Sequence, residues 1–186
     1  MSFEPAERVA GSAATSAEAA ASTVEPIESA EFAASVGTAA PAVPVAAAPA
    51  SAGIATILQY LGAVPAWYLA TSVDGQPHVR PFSFAAEQGG KVWFVTATTK
   101  DVWQELLVNQ RFEATSWWPG HGWLILRGEA GLTDEANPEM RRAGYEHLEK
   151  LGESYDGPDD PTLVFFSVEH PQAWICNHDE WVPVEL

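Results

Sequence analysis

At 186 residues, with 47% apolar residues and eight tryptophans, the chain has room for one ordinary domain with a real core plus an appendage. Its formal net charge of -16 excludes nucleic acid and anionic membrane surfaces as partners, because both are held by lysine and arginine neutralising phosphates. The single cysteine, Cys176, excludes an internal disulfide framework and suits a reducing cytoplasm, and the absence of any run of about 18 apolar residues argues against a transmembrane helix.

Residues 1–53 are mostly Ala, Ser, Pro, Val and Glu, with aromatics only at Phe3 and Phe32. Such a segment cannot bury enough surface to offset the entropy of ordering, which predicts a disordered tail ending in the extended linker AAPAVPVAAAPASAG. Six glutamates against the lone Arg8 argue against a signal or transit peptide. Residues 27–36 have the pattern of a short amphipathic helix that could dock a partner. The folded domain is expected over residues 54–186.

In that domain Ile54, Ile57, Leu58 and Leu61 share one helical face, and Gly62 is expected to close the helix in a left-handed cap. WYLATSV and PHVRPFSF flank Asp74-Gly75, a strong hairpin signal, since a two-residue turn imposes positive φ angles. Gln88-Gly89-Gly90 turns the chain again into KVWFVTAT. The segment TTKDVWQELLVN carries apolar pairs at four-residue spacing, and Thr98 and Asp101 stand three apart like a capping pair. RFEATSWW and GWLILRGEAGL read as strands joined by Pro119-Gly120-His121-Gly122. Asn137-Pro138 starts a helix that runs to about Lys150. After the acidic loop SYDGPDDP, TLVFFSV and QAWICNH complete the pattern. The fold class expected is mainly β with peripheral helices, a small barrel of six to seven antiparallel strands.

Thr98, Thr99 and Lys100 fall at a predicted helix N-terminus, where unpaired N–H groups and the helix dipole favour a phosphate. Arg80, on the neighbouring hairpin, can add a charge-assisted bond to the same anion. The same residues would also serve as a cap, a solvated first-turn lysine and a surface strand arginine, and spacing alone leaves both readings open. His78 and His121 are candidate proton donors or surface residues. His170, Cys176 and His178 match no standard zinc spacing. No G-x-S-x-G elbow, phosphate-binding P-loop or G-x-G-x-x-G is present.

WYLATSVDGQPHVRPFSF, GGKVWFVTATTKDVWQEL, FEATSWW and WLILRGEA, in that order, resemble the pyridoxamine 5′-phosphate oxidase-like family, the FMN-binding split barrels. The resemblance implies FMN contacts from Arg80, Pro81, Phe82 and Ser83 along the ring, Thr96 and Thr98 near the ribityl chain, and Thr99 and Lys100 at the phosphate. It also implies a homodimer with FMN at the subunit boundary, where Trp117, Trp118, Trp123 or Trp174 would reach the facing chain. One departure matters: family oxidases grip their phosphorylated substrate with a C-terminal arginine and histidine segment, whereas this chain reads ICNHDEWVPVEL and has no arginine after Arg142. The expectation is therefore a cytoplasmic FMN-dependent oxidoreductase acting on a small molecule other than a vitamin B6 phosphate. The alternative is a non-catalytic binder of flavin, deazaflavin F420 or haem.

Overall fold

The computed structural model describes residues 51–178 and 180–186. Of the tail expected over residues 1–53, residues 1–50, with the amphipathic segment 27–36, lie outside the described residues, while Ser51, Ala52 and Gly53 belong to the domain as the cap and first turn of a helix. Ser51 opens the domain: its hydroxyl accepts from the Ile54 N–H and caps helix α1 (Ala52–Gly62). The helix buries Ile54, Ile57 and Leu61 as its spacing predicts, but it runs through Gly62 and leaves by an ordinary right-handed residue, Ala63 at φ -75°. The expected left-handed glycine cap is not formed.

Eight strands form one antiparallel sheet: β1 (Trp67–Val73), β2 (Gln76–Phe82), β3 (Ala85–Gln88), β4 (Lys91–Ala97), β5 (Arg111–Trp118), β6 (Gly122–Gly131), β7 (Leu163–Asn177) and β8 (Glu180–Pro183). The order is β2-β1-β5-β6-β7-β4-β3, with β8 paired to β7. Asp74 and Gly75 make the predicted hairpin at φ 50° and 79°. The two sheet edges, β2 and β3, are consecutive in sequence and separated only by Ser83 and Phe84. The sheet therefore curls into a barrel that splits at this corner.

Two strand expectations change. The run PHVRPFSF breaks at Ser83-Phe84, because the residues before it pair with β1 and those after it with β4. TLVFFSV and QAWICNH are one strand, β7, although Pro171 interrupts the sequence. Arg127 and Glu129 of β6 face Gln172 and Glu169, so β7 places two residues, His170 and Pro171, where β6 places one. A bulge tolerates a proline because the extra residues leave the ladder, and His170 takes up the kink at φ 49°.

Trp67, Leu69, Phe94, Phe112, Leu124, Leu126 and Phe166 fill the barrel, with neighbouring ring centroids such as Trp67 and Phe94 only 4.6 Å apart. Helix α2 (Asp101–Val108) covers one barrel end through Val102, Trp103 and Leu106. Helix α3 (Pro138–Lys150), capped by the Asn137 side chain on the Met140 N–H at 2.8 Å, packs Met140 and Leu148 against Phe84, Trp93 and Phe165. Both faces of β4 are thus covered.

Candidate functional site

Strand alternation decides which residues of the VRPF run face the helices. Leu69 pairs with Arg80 and Thr71 with His78, so Arg80 and His78 share the inner face with the buried Leu69 and Thr71. Val79 and Pro81 share the opposite, outer face with Ala70 and Tyr68. At the C-terminal end of β4, Lys100 N–H donates to the Ala97 carbonyl at 3.0 Å, a tight turn that brings Lys100 to the start of α2. The β2 strand and the α2 N-terminus are thereby set side by side.

Two connected recesses lie between them. A slot of about 90 Å³ is lined by Arg80, Pro81, Phe82 and Ser83 of β2 and its corner, by Thr96 and Lys100, and by Leu148 and Glu153 from α3 and the loop after it. It shares Arg80, Lys100 and Val102 with an open recess of about 580 Å³ lined also by His78, Thr99, Asp101 and Glu105. Seven of the eight sequence-predicted site residues therefore line one groove. The exception is Thr98: its N–H donates to the Thr162 carbonyl at 2.8 Å and its carbonyl accepts from Gln104 at 2.9 Å. The Thr98–Asp101 capping pair is absent: Lys100 is the N-cap residue of α2, and no side chain caps the helix.

Both groove cations hold carboxylates. The Arg80 guanidinium donates to Glu105 Oε2, to Thr71 Oγ1 at 2.6 Å and to the His78 carbonyl at 3.1 Å. Glu105 also accepts from Thr71 and pairs with His78 Nδ1. Burial pushes the Glu105 carboxyl up, but the bonds from Thr71, His78 and Arg80 and the arginine charge outweigh it and hold the group below its ordinary value. Lys100 Nζ donates to both oxygens of Glu153, at 2.7 and 2.9 Å. Burial likewise pushes Glu153 up, and the bonds from Lys100 and Tyr155 bring it below normal. Tyr155, burial and its bond to Glu153 acting together, is pushed well above the ordinary phenol range. His147 of α3 lies 2.9 Å from the Ser83 hydroxyl, and burial, helped by the Lys150 charge, lowers its pKa.

Sequence reasoning missed Glu105, His147, Leu148 and Glu153. For Glu105 a signal existed: it follows Val102 by three residues, which puts an acid on the buried face of α2, and such an acid needs a cation. The loop after α3 offers no periodicity that would point it at Lys100. Of the tryptophans expected near the site, Trp118 stacks on His121 at 3.8 Å within the chain, while Trp117 is 68% exposed. A separate recess of about 650 Å³ lies beside β5 and β6, and none of the predicted site residues lines it. Its arginines are paired, Arg127 with Glu113 at 2.6 Å and Arg111 with Glu129 at 3.7 Å. Among the described residues no helix is long and apolar enough to cross a membrane.

The pyridoxamine 5′-phosphate oxidase family model matches residues 55–175. A NimC/NimA family protein from Clostridium acetobutylicum is similar in structure with a TM-score of 0.60 and 26% identity, over 70% of this chain and 93% of that one. General Stress Protein 26 from Bacillus anthracis gives a TM-score of 0.51 at 12% identity, over 63% and 88% of the two chains. A pyridoxamine 5′-phosphate oxidase-related, FMN binding protein from Nostoc punctiforme gives 0.50 at 15% identity, over 76% and 99%. The last two likenesses are of fold. No curated protein matches the sequence.

Proposed function

Because the chain belongs to the pyridoxamine 5′-phosphate oxidase family, we propose that it is an FMN-dependent oxidoreductase acting on a small molecule other than a vitamin B6 phosphate. The observation that carries this reading is the convergence of Arg80, Phe82, Ser83, Thr96, Thr99 and Lys100 on one groove. The slot alone is too small for a cofactor, but the recess it opens into, about 580 Å³, falls in the range of small-molecule sites. Slot and recess together offer a donor set that suits a flavin mononucleotide: on the slot side Phe82 supplies an apolar wall and Ser83 and Thr96 supply hydroxyls, on the recess side Thr99 supplies another, and Lys100, shared by both, supplies the cation for a phosphate. Bound FMN would contribute electron transfer, which no protein side chain here provides. Arg80, locked by Glu105, would keep β2 in place rather than reach for the anion.

Charge limits the substrate. The groove is lined by Asp101, Glu105 and Glu153 against Arg80 and Lys100, so no cation is left over for a second phosphate. A neutral or weakly charged substrate fits that balance.

The chain is proposed to act as a homodimer with the cofactor at the subunit boundary. Tyr68, Val79 and Trp117, which the strand register places on the outer face, are 52%, 65% and 68% exposed. Large apolar groups on one sheet face suit a second copy of the same surface. Trp117→Glu is expected to give a folded monomer by sedimentation velocity; an unchanged mass, whether one chain or two, overturns the assignment of this face.

The reading is tested by the absorption spectrum of the freshly purified full chain and by mass identification of what denaturation releases. A flavin spectrum with FMN released supports it. Haem, a deazaflavin, or an empty protein that does not bind added FMN overturns it.

A further inference from the structure

The groove presents a paradox for an anion: its more accessible cation, Lys100, already holds a carboxylate. Glu153 arrives from the loop that follows α3, fifty-three residues away in sequence, and takes two bonds from the ammonium group, with the Tyr155 hydroxyl as a further donor to Oε2. It lines the same slot as Ser83 and Thr96. A carboxylate and a phosphate oxygen recruit the same donors, so the two compete for Lys100.

We propose that Glu153 is an intramolecular stand-in for the acidic end of the ligand, and that it determines how strongly the groove prefers a phosphorylated ligand over its dephosphorylated form. The proposal rests on the flavin reading above and adds a selectivity residue to it. Which pair yields is decided by exposure. Lys100 and Glu153 are 44% and 33% exposed, so water can take over the bonds of Glu153 when it swings away. Arg80 and Glu105 are 21% and 10% exposed and share Thr71 and His78, so neither can leave without stranding a buried charge. The incoming anion therefore displaces Glu153 from Lys100 and leaves the Arg80 cluster intact. The loop carrying Glu153 would shift away from the groove as it does so, and a ligand without a phosphate would not require that shift.

The test compares FMN with riboflavin, the same ring and sugar chain without the phosphate, titrated into the full-length wild-type protein and the Glu153→Gln variant. Removing the competing charge is expected to tighten FMN about 5-fold, the ratio that about 1 kcal/mol produces, and to leave riboflavin within about twofold. Tyr155→Phe, which removes one bond to Glu153 without touching Lys100, is expected to tighten FMN in the same direction by a smaller factor and serves if Glu153→Gln does not fold. Equal FMN affinity in wild type and variant overturns the proposal while leaving the flavin reading intact. So does weaker FMN binding, which would mean that Glu153 orients Lys100 for the ligand, and so does an equal gain for both flavins, which would make Glu153 a steric obstacle. Failure of a folded wild type and a folded variant alike to bind FMN overturns the flavin reading, and this proposal falls with it.

Discussion

Two ion pairs flank the same groove, and they behave as different kinds of object. Arg80 and Glu105 join β2 to the inner face of α2 with their charges largely out of water, and every bond of the carboxylate is made within the protein, to Thr71, His78 and Arg80. Lys100 and Glu153 join the start of α2 to a loop, with both side chains in partial contact with solvent. Coulomb's law at close range is the same for both; the surrounding dielectric is not. A buried pair is held by the cost of separating it, whereas an exposed pair exchanges with water and with other ions. The first is therefore architecture and the second is a contact available to a ligand.

The sharpest way to break this comparison is to remove the buried acid. Glu105→Leu keeps the volume of the side chain but leaves the Arg80 guanidinium without its carboxylate, and the expected loss is about 3–5 kcal/mol of folding stability. Urea unfolding of the variant against wild type measures it. A loss no larger than that of an exposed pair would mean that Arg80 is hydrated after all, and the distinction between the two pairs would vanish.

Acid titration sharpens the contrast. Glu105 and Glu153 are both held below the ordinary carboxyl value of 4.5, so each contributes stability that is fully present above that pH and is lost as the pH falls through its folded-state pKa. His147 is also depressed, from 6.5, so folding favours its neutral form and stability starts to decline earlier, as the pH drops below that value. Stability followed by urea unfolding from about pH 7 to about pH 3 should therefore fall in two stages. In Glu105→Gln the lower stage should flatten; in His147→Asn only the upper one should. A Glu105→Gln curve parallel to wild type below pH 4.5 would remove Glu105 from the account.

Much of this architecture is legible in the sequence, and the parts that are not share a cause. The Asp74-Gly75 hairpin, the Asn137-Pro138 helix start and the buried stripe of α1 are set by local rules, because a positive φ, a cap or a four-residue spacing is satisfied within a few positions. The convergence of the VRPF run with Lys100 was implied by the family resemblance and not by spacing, because β2 does not pair with β4 and the two meet only where the curled sheet brings its edges together. What local rules do not reach is pairing between distant segments. The joining of two strands through Pro171 depends on β6 supplying a bulge partner. The meeting of Glu153 with Lys100 depends on where α3 lies against Phe165, and there Gly144 allows close approach: a Cβ on it would come within 2.6 Å of the Phe165 ring. Thr98 likewise follows tertiary context, because the Thr162 carbonyl on the approach to β7 takes its N–H and draws it out of the helix cap.

The smallest expected effect is on the stability of the free protein when the exposed acid is neutralised. Glu153→Gln removes a charge that Lys100 and Tyr155 both face, yet the amide retains an acceptor oxygen for either donor, and the ammonium group, 44% exposed, regains water. The lost Coulomb attraction and the recovered side-chain freedom oppose each other, so the change in unfolding free energy should be about 1 kcal/mol or less. Measured beside Glu105→Leu under the same conditions, it should differ by several-fold. A loss for Glu153→Gln as large as that of the buried acid would tie the loop to the fold itself, and the groove would then have no cation that a ligand can claim at low cost.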